Sequence, residues 1–292
     1  MTVAPLLALL TACGPRHEPA VRVVDLVGAW HMRAASDTAW VPATVPGTVH
    51  TDLLAAGRIP DPLRGDHEAE LRWIEEEDWI YRRDFEVDAG LLEEARVDLV
   101  LEGLDTWAEV LVNGRPVLSP DNQFRTWRVD VRDALRPGAN TLEVRFASPV
   151  REGRKRAAAS PWPIPHQEPD VGGTRAFSRK AAYQFGWDWG PRYVTSGIWR
   201  PVRLEAWSGV RIVDAWMEGL AWRGDTARVD LAVELETASA AGGEGAPGTV
   251  RVGVRSPPGS FESVVTEVAV PTRAEGAARP PDGSSAGTTP TV

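Results

Sequence analysis

The 292-residue chain has a single cysteine, Cys13, so no disulfide can close within it and its core must hold by packing alone. Positive charge is scarce: 32 basic against 41 acidic residues give a formal net charge of -9. That balance argues against nucleic acid as the main partner, because phosphate binding needs concentrated cationic surface. The one basic run, Arg151 to Arg156, is short and isolated and reads as a solvated loop. No apolar run approaches the roughly 20 residues of a bilayer-spanning helix. Long segments of helical period are nearly absent too, which excludes a helical bundle. The five histidines, His17, His31, His50, His67 and His166, include no pair at metal-ligand spacing. Phosphate-loop and Gly-x-Ser-x-Gly patterns are missing, so neither a metal nor a cofactor is expected.

What the chain does have is strand alternation, from about Val21 to Val270, which makes it all-β. Trp79, Tyr81, Phe85 and Val87 share one strand face; Val97, Leu99 and Leu101 share another. Val110 and Val112 run into Asn113-Gly114, a strong two-residue hairpin signal. Trp127, Val129 and Val131, then Leu142, Val144 and Phe146, then Val202, Leu204 and Ala206 continue the pattern. Strands about ten residues apart fit a β-sandwich or jelly roll over residues 21–207. One short helix is expected, with Thr48 or Thr51 as N-cap, Leu53 to Ala55 as body and Gly57 at its end. Between Pro149 and Tyr183 the periodicity disappears, which predicts a long functional or disordered loop. Glu75-Glu76-Glu77-Asp78 reads as a turn with solvated carboxylates.

A second region, 208–270, shows about four strands, near 210–216, 227–235, 250–254 and 264–270, with 240–248 as linker. They suit an immunoglobulin-like sandwich but are fewer than the roughly seven it needs. Residues 271–292 hold almost no large apolar side chain and cannot pack. They resemble a broken reading frame more than a domain end. At the other terminus, the apolar run Val3 to Leu10 leads into Leu10-Thr11-Ala12-Cys13, which resembles the lipobox of bacterial lipoproteins. That likeness implies a lipidated Cys13, a tether up to Ala20, and a place at the bacterial cell envelope, on the periplasmic side or the surface. Membrane contact is expected only through that anchor, and the other reading is an apolar, unstructured N-terminus.

The densest aromatic cluster is Tyr183-Gln-Phe-Gly-Trp-Asp-Trp-Gly-Pro191. Gly186 and Gly190-Pro191 flank Trp187, Asp188 and Trp189, so the chain is expected to bend there and present a polar tip. Indole faces beside an acceptor-only carboxylate suit a pyranose, which offers C–H faces for stacking and vicinal hydroxyls for hydrogen bonding. In the competing reading both tryptophans are sandwich core and Asp188 caps a turn.

Four blocks carry a resemblance to a known family. They are Val45-Pro46-Gly47-Thr48-Val49-His50-Thr51-Asp52-Leu53-Leu54; Trp73 to Arg82; Asn122-Gln123-Phe124-Arg125; and Arg179-Lys180 leading through Phe185-Gly186-Trp187-Asp188-Trp189-Gly190-Pro191 to Ser196-Gly197-Ile198-Trp199-Arg200-Pro201. Together they resemble the amino-terminal part of β-mannosidases of the glycoside hydrolase family 2 type. The resemblance implies a galactose-binding-like jelly roll, an immunoglobulin-like domain and a catalytic (β/α)₈ barrel, in that order. It implies a β-mannoside glycan as partner, Asp188 as acceptor for sugar hydroxyls, Trp187 as pocket wall, and Trp189 pointing with Trp187 if the segment is extended.

Retaining glycosidases need two carboxylates, and the family places its acid/base glutamate in an Asn-Glu pair. The three asparagines here, Asn113, Asn122 and Asn140, precede Gly, Gln and Thr. Both catalytic glutamates are therefore expected beyond Val292, and the chain alone is expected to be inactive. A lectin-like binding module that cleaves nothing, and a β-galactosidase or β-glucuronidase, are the alternatives.

Overall fold

The computed structural model describes residues 21–162, 164, 174–224, 226–238, 248–253 and 265–270. Cys13, residues 240–247 of the expected linker and the segment from Pro271 lie outside them. The chain divides into two compact units, the first ending at Trp207 and the second starting at Ser208.

In chain order the strands of the first unit are β1 (Val21–Asp25), β2 (Gly28–Ala34), β3 (Val41–Val45), β4 (Trp79–Val87), β5 (Arg96–Leu101), β6 (Leu104–Asp105), β7 (Ala108–Val112), β8 (Arg115–Leu118), β9 (Trp127–Asp130), β10 (Gly138–Phe146), β11 (Gly197–Ile198) and β12 (Val202–Trp207). They form a six-stranded sheet in the order β3-β2-β4-β10-β7-β8 and a four-stranded sheet in the order β1-β12-β5-β9. Every pair is antiparallel, and the short pair β6–β11 joins Leu104-Asp105 to Gly197-Ile198.

The expected alternation puts the core where it was anticipated. Leu142, Val144 and Phe146 on β10 join Tyr81 on β4, Val110 and Val112 on β7, Leu99 and Leu101 on β5, and Leu204 and Ala206 on β12 in one buried cluster. Each large aliphatic side chain so buried contributes about 1.5–3 kcal/mol. Aromatic polar atoms buried there find partners, as burial requires. Trp30 Nε1 donates to the Leu26 carbonyl at 2.8 Å and Trp79 Nε1 to that of Ile74 at 3.0 Å. The Tyr81 hydroxyl donates to Asp52 Oδ2 at 2.8 Å. At the β7–β8 hairpin Asn113 and Gly114 both take positive φ, 51° and 79°, as a type I′ turn requires.

The expected helix is α1 (Val49–Ala55), with Thr48 as N-cap in a reciprocal capping box with Thr51. Gly57 ends it at φ 65°: its N–H meets the Leu54 carbonyl at 3.0 Å and that of Arg58 the Leu53 carbonyl at 2.9 Å, a Schellman closure. Three further helical segments follow, α2 (His67–Glu70), α3 (Trp73–Glu76) and α4 (Pro149–Ala159).

Two expectations are corrected here. The basic run is no loop, because Arg151–Arg156 lies within α4, capped by Ser148 and started by Pro149. The acidic run is not simply solvated either: α3 buries Glu75, and Glu76 and Asp78 pair with the basic helix, Arg154 to Glu76 at 2.9 Å and Arg151 to Asp78 at 2.5 Å. The two charge runs are partners.

Among the described residues the second unit contributes two antiparallel hairpins, β13 (Gly209–Arg223) with β14 (Thr226–Ala238) and β15 (Gly248–Gly253) with β16 (Val265–Val270). These four strands lie where four were expected, with Gly248 already inside β15.

Candidate functional site: an exposed Trp-Asp-Trp hairpin

Trp187 and Gly190 form an antiparallel bridge, with N–H to carbonyl distances of 3.3 and 3.2 Å in the two directions. Asp188 and Trp189 are the two residues of that turn. Gly186, at φ 96°, supplies the bend that admits the chain to it. The tip is exposed: Trp187 is 46% and Trp189 83% accessible, and Asp188 is exposed with them. The core reading of the two tryptophans is thereby excluded. Because the chain turns instead of extending, Trp189 does not simply follow Trp187; the two rings meet edge to face, centroids 5.9 Å apart at 65°. The guanidinium of Arg175 lies 5.6 Å from the Trp187 ring.

Beside the hairpin is a concavity of about 670 Å³ lined by Ala182, Tyr183, Trp187, Trp189, Gly190 and Pro191. The structure thus brings Trp187 and Trp189 together on one apolar wall. Asp188 stands on the turn and is not among the lining residues.

An exposed tip is only as well placed as its base. Phe185, before the hairpin, and Val194, after it, are buried with Val150 of α4 in a small cluster of their own. Gly153 lets α4 approach the 3-10 turn Thr174–Phe177, since a Cβ there would lie 2.6 Å from Thr174 Cβ. Directly after the hairpin the buried Arg192 forms an ion pair with Glu75 of α3, and its backbone N–H donates to Glu68 Oε1 at 3.1 Å. Burial nevertheless raises the Glu75 pKa above the usual carboxylate value, partly opposed by Arg192.

Below the hairpin Lys180 is fully buried. Its ammonium reaches both carboxylate oxygens of Asp105 at 2.5 Å and the Thr195 carbonyl at 2.6 Å, while the Thr195 hydroxyl donates to Asp105 Oδ2 at 2.6 Å. Burial lowers the Lys180 pKa, and the Asp105 carboxylate opposes that shift. His50 of α1 packs edge to face on Tyr193 at 5.5 Å, and the Tyr193 hydroxyl donates to the Pro62 carbonyl. The His50 pKa falls to about 4, through burial first and the Lys180 charge second, with Asp105 opposing, so the ring is neutral at pH 7. Gln123 closes the base: its Oε1 accepts the Ala181 N–H at 2.7 Å, and its own N–H meets the Arg179 carbonyl at 2.9 Å.

Glu75, Asp105 and Arg192 were not singled out from sequence as a group, because their pairings join segments about 75 to 117 residues apart. The signal was there in part, since Lys180, Gln123, His50 and Glu75 all sit inside the four resembling blocks. Among the described residues no group of three or more His, Cys, Asp or Glu side chains is placed to hold a metal ion. The chemistry on offer is aromatic stacking plus one solvent-facing carboxylate on a rigid mount.

A family model described as glycosyl hydrolase 2 galactose-binding domain-like matches residues 30–200. The chain is 36% identical over 208 residues to a β-mannosidase of Bos taurus, covering 70% of this chain and 24% of the relative. It is 40% identical over 217 residues to β-mannosidase B of Aspergillus fumigatus, covering 71% and 25%. The crystal structure of a β-D-mannosidase from Dictyoglomus thermophilum superposes with a TM-score of 0.75 at 36% identity, covering 85% of this chain and 30% of that one. The chain spans about a quarter of the length of these curated relatives. With the sandwich and the match over 30–200 both in hand, the chain belongs to the glycosyl hydrolase 2 galactose-binding domain-like family.

Proposed function

We propose that the chain is the amino-terminal part of a β-mannosidase, a retaining hydrolase that releases terminal β-D-mannose from non-reducing ends. It supplies a wall of the substrate pocket, and the two catalytic glutamates belong to the barrel of the whole enzyme. One observation carries the reading: a solvent-facing carboxylate between two exposed indoles, on a hairpin based on buried ion pairs, in a chain 36 to 40% identical to β-mannosidases. Asp188 is acceptor-only when ionised and takes charge-assisted hydrogen bonds from adjacent sugar hydroxyls. Trp187 stacks on the C–H face of the same ring, and the rigid base spares the ordering cost of a mobile loop.

In the whole enzyme, Asp188→Ala is expected to lower kcat/KM on an aryl β-mannoside by roughly 30- to 150-fold, the loss of about 2–3 kcal/mol of charged hydrogen bonding. Unchanged kcat/KM would remove Asp188 from the site. A lectin-like module predicts binding of mannosides by the whole protein with no hydrolysis, which the same assay distinguishes.

A further inference from the structure

The concavity beside the hairpin exceeds what one sugar ring needs. About 670 Å³ falls in the roughly 300–1,000 Å³ range of sites that take ligands well beyond a single hexose. Its lining continues past Trp187 and Trp189 to Tyr183, which is 68% exposed. A lone exposed tyrosine is unremarked surface, but this one sits on a fixed base. The 3-10 turn Ala182–Phe185 is closed by the Gln184 N–H on the Ala181 carbonyl and the Gly186 N–H on the Tyr183 carbonyl, both at 3.1 Å. Phe185 anchors its far end in the cluster with Val150 and Val194, and Gln123 holds Ala181 at its near end. Among the described residues the Tyr183 hydroxyl has no hydrogen-bond partner and the ring no aromatic neighbour. The turn is pinned from both ends while its aromatic side chain is left uncommitted at the wall of a cavity.

Resting on the mannosidase reading above, we infer that Tyr183 is a specificity-determining residue, its ring carrying the second sugar of a β-linked oligosaccharide whose first sugar is held by Asp188 and Trp187. Asp188 stands on the turn and does not line the concavity, so a ligand that engages the carboxylate and also fills the cavity must extend beyond the ring so engaged. A second pyranose has the right chemistry for the position: a C–H face for the phenol ring, and hydroxyls for its free O–H. The preferred substrate class is then an oligosaccharide of at least two β-linked units, not a small glycoside.

The test uses the whole enzyme, with methyl β-mannoside, a β-linked mannose disaccharide and the corresponding trisaccharide as substrates. Tyr183→Ala is expected to lower kcat/KM about tenfold on the two oligosaccharides, mainly through KM, with a change of about twofold or less on the methyl glycoside. Tyr183→Phe keeps the ring and is expected to stay within about threefold of wild type on all three. Turnover of the methyl glycoside reports that each variant is folded. Equal loss on all three substrates, or no loss on any, overturns the role of Tyr183 while leaving the mannosidase reading intact. A wild-type enzyme that cleaves none of the three overturns both.

Discussion

Lys180 and Asp105 show how much this molecule invests beneath its exposed tip. Both are buried, and neither is tolerable there without the other: an ammonium withdrawn from water costs several kcal/mol unless a carboxylate and further hydrogen bonds compensate it. Thr195 and Thr106 supply those bonds, the Thr106 hydroxyl donating to Asp105 Oδ1 at 2.5 Å. Lys180→Met leaves the Asp105 charge uncompensated and is expected to cost about 3–5 kcal/mol of stability in urea unfolding. Adding Asp105→Leu is expected to restore part of that loss. Additive losses would show that the two side chains do not act as a pair. Asp188, by contrast, was legible from sequence, because Gly186 and Gly190-Pro191 mark a bend on either side of it. The Lys180–Asp105 pair was not, since local sequence carries no record of a contact across 75 residues.

At the scale of elements, the strands read cleanly and the polar helix did not. Alternation on β10, and on β12 as far as Ala206, has a period of two and one buried face, so their core residues are visible in the chain itself. Helix α4 buries only Pro149, Val150 and Gly153, so it has no apolar stripe to find. Its Arg, Lys and Ala content was the available signal, as these are strong helix formers. What holds it is the packing of Val150 on Phe185 and Val194 and of Gly153 on Thr174, with the acidic run of 75–78 alongside, partners that periodicity cannot see. The short β6–β11 pair is sensitive to a single atom. At Gly197, φ 149°, an added Cβ would lie 2.7 Å from the Gly47 carbonyl oxygen and 2.8 Å from Thr48 Cα, both backbone. Gly197→Ala is therefore expected to lower stability by about 2 kcal/mol or more. A melting temperature within a degree or so of wild type would show that the two backbones separate freely.

For the whole molecule, acidity is the lever that the buried site brings with it. The unfolded chain takes up a proton on His50 near 6.5, the folded chain only near 4. Stability attributable to this ring is therefore complete above about 6.5 and is lost as pH falls towards 4, by about 3 kcal/mol. Asp52 and Glu75, raised by burial, act with the opposite sign, since each holds its proton in the folded state at pH values where the unfolded chain has released it. Comparison of wild type with His50→Gln separates the two. The difference in unfolding free energy between pH 7 and pH 4 should be smaller in the variant, and parallel profiles would exclude His50 as the source. The all-β class and the position of the sandwich were legible at this scale, because composition and period are properties of the whole chain. The buried charges beneath the hairpin were not, because they depend on how the loops fold back on one another.

The order of the smaller sheet has a consequence for how the protein is made. β12, the last strand of its unit, lies between β1 and β5, and among the described residues β1 has no other strand partner. The residues of β1 therefore lack their strand partner until about 180 more have been translated, on the order of 10 to 40 seconds at roughly 5–20 residues per second. Throughout that interval β5 presents an open edge where β12 will dock, the kind of unpaired strand edge on which nascent chains associate.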